Sequence, residues 1–342
     1  MIDIKTHIRK NILSLKPYAS ARDEFSGTEG IFLDANENPF GNLNRYPDPL
    51  QSELKKKISR LKAIPEQAIF LGNGSDEAID LCFRIFCEPG EHKALLFTPT
   101  YGMYEVAAAI HNTEVIKVPL TDDFQIDLEK VKPVLNDKQL KLIFICSPNN
   151  PTGNHMREQD IDFILQNFNG IVILDEAYID FSKRQSYLQK LSEFNNLIVI
   201  QTFSKAWGMA GARVGMAFAH EQIIGSMNKV KSPYNISALS QAAIRSRISD
   251  LTSFESGLHA VLAERELLSM RLKEVRSVKK VHPSDSNFIL IEVEDADRVY
   301  QQLIDSKIVV RNRSNSIKNC LRITVGTPEE NAELLNVFNQ SM

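Results

Sequence analysis

Short runs in the middle of the chain are apolar at consecutive positions rather than at alternate ones. This pattern is typical of strands that are covered on both faces, because a strand with one solvated face alternates apolar and polar residues. The runs are 94–97, 142–145, 171–174, 197–200 and 214–218. Amphipathic stretches such as 76–86 and 158–167 lie between them. The alternation predicts an α/β fold whose large domain holds a mostly parallel sheet flanked by helices.

The last third of the chain mixes helical and strand patterns over short spans. The predicted elements are a helix over 260–275, a strand over 287–291, a helix over 296–305, strands over 308–311 and 320–325, and a final helix. This mixture is typical of a small α+β domain. Prolines near the N-terminus favour an extended arm there. We therefore predict an arm with part of the small domain over 1–40, a large domain over 41–240 and a small C-terminal domain over 241–342.

Composition and charge exclude some classes of partner. The chain has 342 residues, charges of both signs and a formal net charge of -3, so nothing favours binding to nucleic acid or to an anionic membrane. No apolar stretch is long enough to cross a bilayer. The first residues lack the apolar segment of a secretion signal, so we expect a cytoplasmic protein.

The cysteine and histidine positions do not suggest a metal site. The four cysteines are scattered, with Cys82 and Cys87 five positions apart on a predicted helix, and the seven histidines form no HxxxH arrangement. Zinc sites have other spacings, so buried core thiols are the better interpretation.

Three polar residues of complementary chemistry follow the predicted strands. Lys205 comes shortly after the run 197–200, Asp175 directly follows 171–174, and Arg213 lies eight residues beyond Lys205. An amine that takes up an aldehyde, a carboxylate that keeps a pyridine nitrogen protonated and a guanidinium that pairs with phosphate are the groups that hold pyridoxal phosphate. In parallel sheets, ligands bind beyond the carboxyl ends of the strands, where these residues fall.

Further candidates lie at other strand and helix ends. The turn 147–153 carries Asn150, a donor for the cofactor's phenolic oxygen, and Tyr178 is a second such donor. Tyr101 follows another strand and has a ring that stacks on a pyridine. The remaining candidates suit a phosphate: Gly74, Ser75 and Asp76 offer backbone N–H groups at a helix start, and Thr202 and Ser204 offer hydroxyls beside the lysine.

Each of these residues also has a simpler explanation when it is taken alone. A lysine after a strand is usually a solvated charge, and Asp175 and Ser75 are also suitable helix caps. Two prolines and a glycine explain the turn 147–153 as a turn only. The cofactor interpretation is favoured because the amine, the acid and the cation occur together at successive strand ends.

Together these segments resemble the aspartate aminotransferase superfamily of pyridoxal-phosphate enzymes and, more narrowly, the histidinol-phosphate aminotransferases. The resemblance runs over nearly the whole chain and implies the fold type one of pyridoxal-phosphate transferases. Three segments narrow the resemblance from the superfamily to the histidinol-phosphate aminotransferases. They are Asn-Glu-Asn-Pro at 36–39, Arg-Tyr-Pro at 45–47 and Leu-Arg-Ile-Thr-Val-Gly at 321–326. The stretch between 39 and 45 is only a few residues long, whereas many members have a helix-length segment there.

The resemblance implies a role for each candidate. Lys205 would carry the cofactor and move a proton, Asp175 would pair with the pyridinium, Tyr178 and Asn150 would hold the phenolic oxygen, and Tyr101 would stack on the ring. Gly74, Ser75, Asp76, Thr202, Ser204 and Arg213 would surround the phosphate, with Tyr46 from a neighbouring subunit of a homodimer. Tyr18, Asn36, Arg311 and Arg322 would face the substrate. Without the resemblance, Arg311 and Arg322 are better explained as ordinary surface cations.

The implied reaction is the transamination of L-histidinol phosphate with 2-oxoglutarate, which gives imidazole acetol phosphate and L-glutamate in histidine biosynthesis. Decarboxylation of threonine phosphate and transamination of aromatic amino acids are the alternatives within the same fold. A cofactor-binding regulator without turnover is the alternative from another class. It is disfavoured because such regulators usually carry a DNA-binding domain, and here the resemblance takes up almost the whole chain.

Overall fold

A seven-stranded sheet forms the centre of the larger part of the molecule. The structure is a computed structural model and describes residues 2–18 and 30–340. The strands are β1 (Ile69–Asn73), β2 (Lys93–Thr98), β3 (Glu114–Pro119), β4 (Leu140–Cys146), β5 (Ile171–Asp175), β6 (Leu197–Thr202) and β7 (Val214–Ala219). Their order in the sheet is β1-β7-β6-β5-β4-β2-β3, and only β7 runs antiparallel to its neighbours. The prediction of a mostly parallel sheet is confirmed.

Helices cover both faces of this sheet. They are α1 (Lys10–Ser14), α2 (Ser52–Lys62), α3 (Ser75–Phe86), α4 (Met103–Ile110), α5 (Leu128–Val131), α6 (Glu158–Asn167), α7 (Glu221–Val230) and α8 (Ala238–Ile248). Alternate side chains of β5 belong to two different apolar cores, with Val172 and Leu174 in one and Ile171 and Ile173 in the other. A strand between two cores needs apolar residues at every position, which explains the consecutive apolar runs in the sequence.

A second, antiparallel sheet of four strands lies in the C-terminal part. Its strands are β8 (Val278–Val281), β9 (Phe288–Val293), β10 (Arg311–Asn312) and β11 (Cys320–Thr324), and its helices are α9 (Leu251–Glu274), α10 (Ala296–Asp305) and α11 (Pro328–Gln340). The sheet order is β10-β11-β9-β8, and these elements share a separate apolar core. The predicted small α+β domain is therefore present, while its boundaries at residues 40 and 240 stay predictions.

Some elements differ from those that the pattern predicts. Strands β1, β3 and β8 were not predicted, because β1 contains Gly72 and both β3 and β8 are short edge strands with polar residues. The strand predicted over 308–311 is mostly irregular. The N–H of Ile308 donates to the carbonyl of Leu303 at 2.8 Å and so closes the end of α10 rather than pairing with a strand.

Two features are absent from residues 2–18 and 30–340. No helix there has both the length and the apolar character that a membrane span requires. No three potential metal ligands lie together in the same part of the chain. All four cysteines are buried and free.

Gly215 provides a test of how tightly β7 is packed against the start of α3. A Cβ at this position would lie 2.2 Å from the backbone nitrogen of Ser75 and 2.4 Å from the carbonyl carbon of Gly74, so the backbone itself would have to move. We expect Gly215→Ala to lower the free energy of unfolding by about 2 kcal/mol, as overpacked sites do. Urea denaturation measures this.

Gly225→Ala is the matched control. Gly225 is exposed on α7, and a Cβ there meets nothing within 4 Å. Alanine in a helix interior is more stable than glycine, so this change should raise the free energy of unfolding by roughly 0.5–1 kcal/mol. Equal effects of the two substitutions would contradict the close approach at Gly215.

Candidate active site

A polar cavity of about 320 Å³ opens beyond the carboxyl ends of β4, β5 and β6. Its walls come from the large sheet on one side and from β10, β11 and the turn after β10 on the other. The lining residues are Ser75, Asp76, Tyr101, Cys146, Asn150, Asp175, Ala177, Tyr178, Thr202, Ser204, Lys205, Ala210, Arg213, Arg311, Arg313 and Arg322. The cavity thus brings together twelve of the residues that the sequence singled out. They are Ser75, Asp76, Tyr101, Asn150, Asp175, Tyr178, Thr202, Ser204, Lys205, Arg213, Arg311 and Arg322.

The strand register accounts for this convergence. Cys146 at the end of β4 pairs with Asp175 at the end of β5, and Asp175 pairs with Ile200 on β6. The three strands therefore end at nearly the same level. The turns that follow them carry Asn150 and Lys205 to the same edge of the sheet.

Asp175 is a buried carboxylate with two hydrogen bonds. One oxygen accepts from the hydroxyl of Tyr104 at 2.5 Å and the other from the N–H of Ala177 at 3.0 Å. Burial raises its pKa, while these bonds act in the opposite direction. Among the residues that the structure describes, no cationic side chain forms an ion pair with it. A protonated ring nitrogen in the cavity would supply the missing positive charge.

The start of α3 forms an anion site with Arg213. No side chain caps this helix, so the N–H groups of its first turn at Ser75 and Asp76 are available to a phosphate. Gly74 has a φ of 73° and lies against Arg213, because a Cβ on it would be 2.6 Å from a guanidinium nitrogen. Gly74 itself does not line the cavity, but its small size allows this close contact.

Thr202 and Ser204 complete the side of the cavity that faces α3. The hydroxyl of Thr202 accepts from the N–H of Ser204 at 3.1 Å, which fixes the turn before Lys205. Both residues line the cavity together with Arg213. Hydroxyls, helix N–H groups and a guanidinium are the donors that a phosphate monoester requires.

Lys205 lies between the anion site and the arginines of the small sheet. Its Nζ is 5.7 Å from the centre of the Tyr178 ring. Solvent reaches the side chain through the open cavity, but protein atoms surround much of the amine. This desolvation, followed by the nearby positive charge of Arg322, lowers the pKa of Lys205, while Asp175 and Asp76 act to raise it. A lowered pKa increases the share of neutral, nucleophilic amine.

Asn150 connects the two sheets across the cavity. Its Oδ1 accepts a hydrogen bond of 2.5 Å from Arg322, which leaves its amide N–H groups as donors. Arg322 also lies over the ring of Phe288 at 5.1 Å, and Phe288 meets Tyr178 edge to face at 5.1 Å. Tyr101, on the opposite wall, donates to Asp76 at 3.1 Å.

Besides Gly74, three predicted residues do not line the cavity of their own chain. Tyr18 is 73% exposed. Asn36 and Tyr46 lie in a separate groove, where Tyr46 stacks on Tyr234 with ring centres 4.4 Å apart. Their roles toward the substrate and the phosphate stay predictions.

Some site residues were not found by reasoning from the sequence. Tyr104, which holds Asp175, lies three residues after Tyr101 on an apolar helix and resembles a core aromatic residue. Asn149 is fully buried and joins two turns, accepting from Thr100 and donating to Pro99 and Thr152. The sequence pattern did not indicate Arg313 as a site residue, because it lies in a polar turn.

Comparison with known proteins establishes the family. A sequence model of aminotransferase class I and II matches residues 27–338. A histidinol-phosphate aminotransferase of Parabacteroides distasonis is 52% identical over 341 residues, which are 99% of this chain and 99% of the relative. The chain belongs to the class I and II aminotransferases. The family resemblance seen in the sequence is therefore confirmed.

Solved structures agree with the fold of this aminotransferase. The histidinol-phosphate aminotransferase of Clostridium acetobutylicum superimposes with a TM-score of 0.81 at 25% identity, over 88% of this chain and 91% of that one. A histidinol-phosphate aminotransferase of Sinorhizobium meliloti, solved in complex with pyridoxal-5'-phosphate, has a TM-score of 0.80 at 22% identity, over 90% and 89% of the two chains. The fold of the two domains is thus shared.

The residues of the aminotransferase cavity fit pyridoxal phosphate. Asp175 is a buried acid without a cationic partner among the described residues, the uncapped start of α3 lies beside Arg213, and Lys205 lines the same cavity. These groups match the ring nitrogen, the phosphate and the aldehyde in kind and in number.

The charges around Lys205 predict opposite shifts of its pKa in two variants of the aminotransferase. Arg322→Gln removes a positive charge and should raise the pKa of Lys205, whereas Asp175→Asn removes a negative charge and should lower it. The pH dependence of Lys205 labelling by trace acetic anhydride in cofactor-free protein, read by peptide mass spectrometry, measures both shifts. Arg276→Gln, an exposed position outside the cavity, is the control. Shifts in the same direction in the two variants would refute this electrostatic account.

Proposed function

We propose that this aminotransferase uses pyridoxal phosphate to exchange an amino group between L-histidinol phosphate and the glutamate/2-oxoglutarate pair. The products of the forward reaction are imidazole acetol phosphate and L-glutamate, in histidine biosynthesis. The observation that carries the proposal is a cavity with an amine and a buried acid on one wall and, on the other, arginines that have no carboxylate partner among the described residues. Relatives of matching length at about half identity bear the name of this activity.

The large domain would hold the cofactor. When bound, pyridoxal phosphate supplies an aldehyde and an electron-poor ring that stabilises negative charge at the substrate carbon. Asp175 would accept a hydrogen bond from the protonated ring nitrogen. The hydrogen bonds from Tyr104 and Ala177 keep its carboxylate in place. The N–H groups at Ser75 and Asp76 would bind the phosphate with Arg213. Tyr101 would stack on the ring.

Lys205 would act as the proton carrier. With pyridoxal phosphate bound, its amine would take the proton from the α-carbon of the substrate and give it up again as the amino group is exchanged. Its lowered pKa favours the neutral amine that this step requires. Tyr178 and the amide of Asn150 would hold the phenolic oxygen, which fixes the ring while the proton moves.

The small domain would bind the anionic group of each substrate. Arg311 and Arg322 pair directly across β10 and β11, and both line the cavity. We propose that Arg322 binds the carboxylate of glutamate in one half-reaction and meets the phosphate of histidinol phosphate in the other. A guanidinium fork suits both anions.

A homodimer would complete the site. Five large apolar side chains between 62% and 91% exposed lie on the arm and on the nearby helix α8, namely Ile31, Leu33, Phe40, Leu43 and Leu239. Exposed apolar groups in such number indicate a contact surface. We propose that a second copy covers them, and that Tyr46 then reaches the phosphate and Tyr18 and Asn36 the substrate. We also propose a cytoplasmic enzyme, since four free, buried thiols suit a reducing compartment.

Turnover with three substrates tests the proposed reaction. We expect transamination with histidinol phosphate to exceed transamination of phenylalanine and decarboxylation of threonine phosphate. Lys205→Ala should lower turnover by roughly 1,000-fold or more without loss of fold, because no other lysine lines the cavity in the part of the chain that the structure describes. Lys279→Ala, at an exposed position of the small sheet, should keep wild-type rates. A preference for either of the other substrates would overturn the substrate assignment, and no turnover at all would favour a regulator.

Mixed dimers test the shared site. If Tyr46 serves the partner's cofactor, Tyr46→Ala and Lys205→Ala homodimers should each be weak, and equal mixing after subunit exchange should restore about a quarter of wild-type activity. Half of the dimers would then be mixed, each with one intact site. Mixing Lys205→Ala with Asp175→Ala is the control, because both residues serve the same chain's site and no intact site forms. Equal recovery in the two mixtures would contradict the exchange of Tyr46.

A further inference from the structure

Arg313 is a third guanidinium on the small-domain wall of the cavity. It follows β10 by one residue and lines the cavity together with Arg311 and Arg322. Arg311 lies on β10 and Arg313 directly after it, and both side chains line the same cavity. Nothing in the proposed roles of Arg311 and Arg322 uses this residue.

None of the three arginines has a carboxylate partner among the residues that the structure describes. The Nε atoms of Arg313 and Arg322 are buried and unpaired in that part of the chain. Burial, and then the positive charges of Arg322 and Arg311, lower the pKa of Arg313. The charges of Arg311 and Arg322 therefore repel that of Arg313. Like charges gathered without counterions are costly, which indicates a site that awaits an anion of more than one charge.

The backbone holds Arg313 in place without a ligand. Its N–H donates to the carbonyl of Cys320 at 2.9 Å, and its own carbonyl accepts from Ser316 and Ile317, each at 2.8 Å. The preceding residue, Asn312, donates to Asp297 on α10 at 2.5 Å. The backbone of the turn is therefore fixed on both sides. An anion that binds there does not have to order the backbone, which lowers the entropy cost of binding.

We propose that Arg313 is a specificity-determining residue that selects a phosphate monoester dianion over a carboxylate. Arg322 alone satisfies a carboxylate, whereas a dianion with three terminal oxygens uses a second and a third guanidinium. The inference rests on the proposed function and adds to it the group that distinguishes the two substrates. Arg313 positions and neutralises the phosphate and takes no part in proton transfer.

The two half-reactions of the holoenzyme measure this selectivity separately. Arg313→Gln should raise the KM for histidinol phosphate roughly 10- to 100-fold, the loss expected for a charge-assisted hydrogen bond, with kcat little changed. The KM for glutamate should change less than about 3-fold. Arg313→Lys should lie between wild type and Arg313→Gln, since it keeps the charge and loses the fork. Arg276→Gln on the same domain, exposed and outside the cavity, should change neither KM.

The pH dependence gives a readout that a purely structural role would not affect. Phosphate monoesters gain their second charge near pH 6. In the wild type, the KM for histidinol phosphate should fall as the pH rises through this value, and in Arg313→Gln this fall should be smaller. Equal changes of KM for both substrates, or an unchanged pH profile, would overturn the proposal.

Inhibition by inorganic phosphate tests the role of Arg313 independently of the proposed reaction. Added to the holoenzyme, it should inhibit the glutamate half-reaction, and Arg313→Gln should weaken that inhibition roughly 10-fold or more. If the wild type transaminates glutamate but not histidinol phosphate, the proposed function fails while this measurement still decides the role of Arg313. Equal inhibition of wild type and Arg313→Gln would overturn the role of Arg313, whichever substrate is used.

Discussion

The buried carboxylate of Asp175 is the constraint around which the rest of the site is arranged. It ends the central strand β5, where apolar residues on both faces exclude water. Two hydrogen bonds, from Tyr104 and Ala177, do not replace the hydration that a charged group loses on burial. The carboxylate therefore needs a positive charge that the described side chains do not supply as an ion pair. A fold that keeps such a group is adapted to a cationic ligand rather than to its own stability alone.

The opposite wall of the cavity carries an excess of positive charge. Arg311, Arg313 and Arg322 bring positive charges to it without carboxylate partners among the described residues. Burial and then the positive charge of Arg322 lower the pKa of Lys205, while the acids Asp175 and Asp76 act to raise it. Each anion that enters the cavity neutralises the arginines and thereby weakens one cause of the lowered pKa of Lys205. Substrate binding and the state of the amine are thus coupled by electrostatics, without a change of fold.

The parts of the fold that the sequence predicted are those with a strong local pattern. Strands β4, β5 and β6 were found because burial on both faces demands consecutive apolar residues, and α6 and α10 because their apolar positions repeat with a helical period. Edge strand β3 was missed because solvent on one side permits Glu114 and Lys117. Lys205 and Asp175 were recognisable because an amine, an acid and the cation Arg213 occur together at successive strand ends. Tyr104 and Arg313 resemble a core residue and a surface residue, and only tertiary packing shows their position.

Three of the predicted site contacts depend on the proposed homodimer. Tyr46, Asn36 and Tyr18 carry the family resemblance but lie outside the cavity of their own chain, and no local pattern states which subunit a side chain serves. The small domain, in contrast, contributes its arginines within one chain through the hairpin of β10 and β11. In the proposed function, the large domain holds the cofactor, whereas the anionic group that distinguishes one substrate from another meets this hairpin. On this proposal, a change of substrate within the fold would require changes in a short, well-fixed turn and would leave the buried acid and the amine untouched.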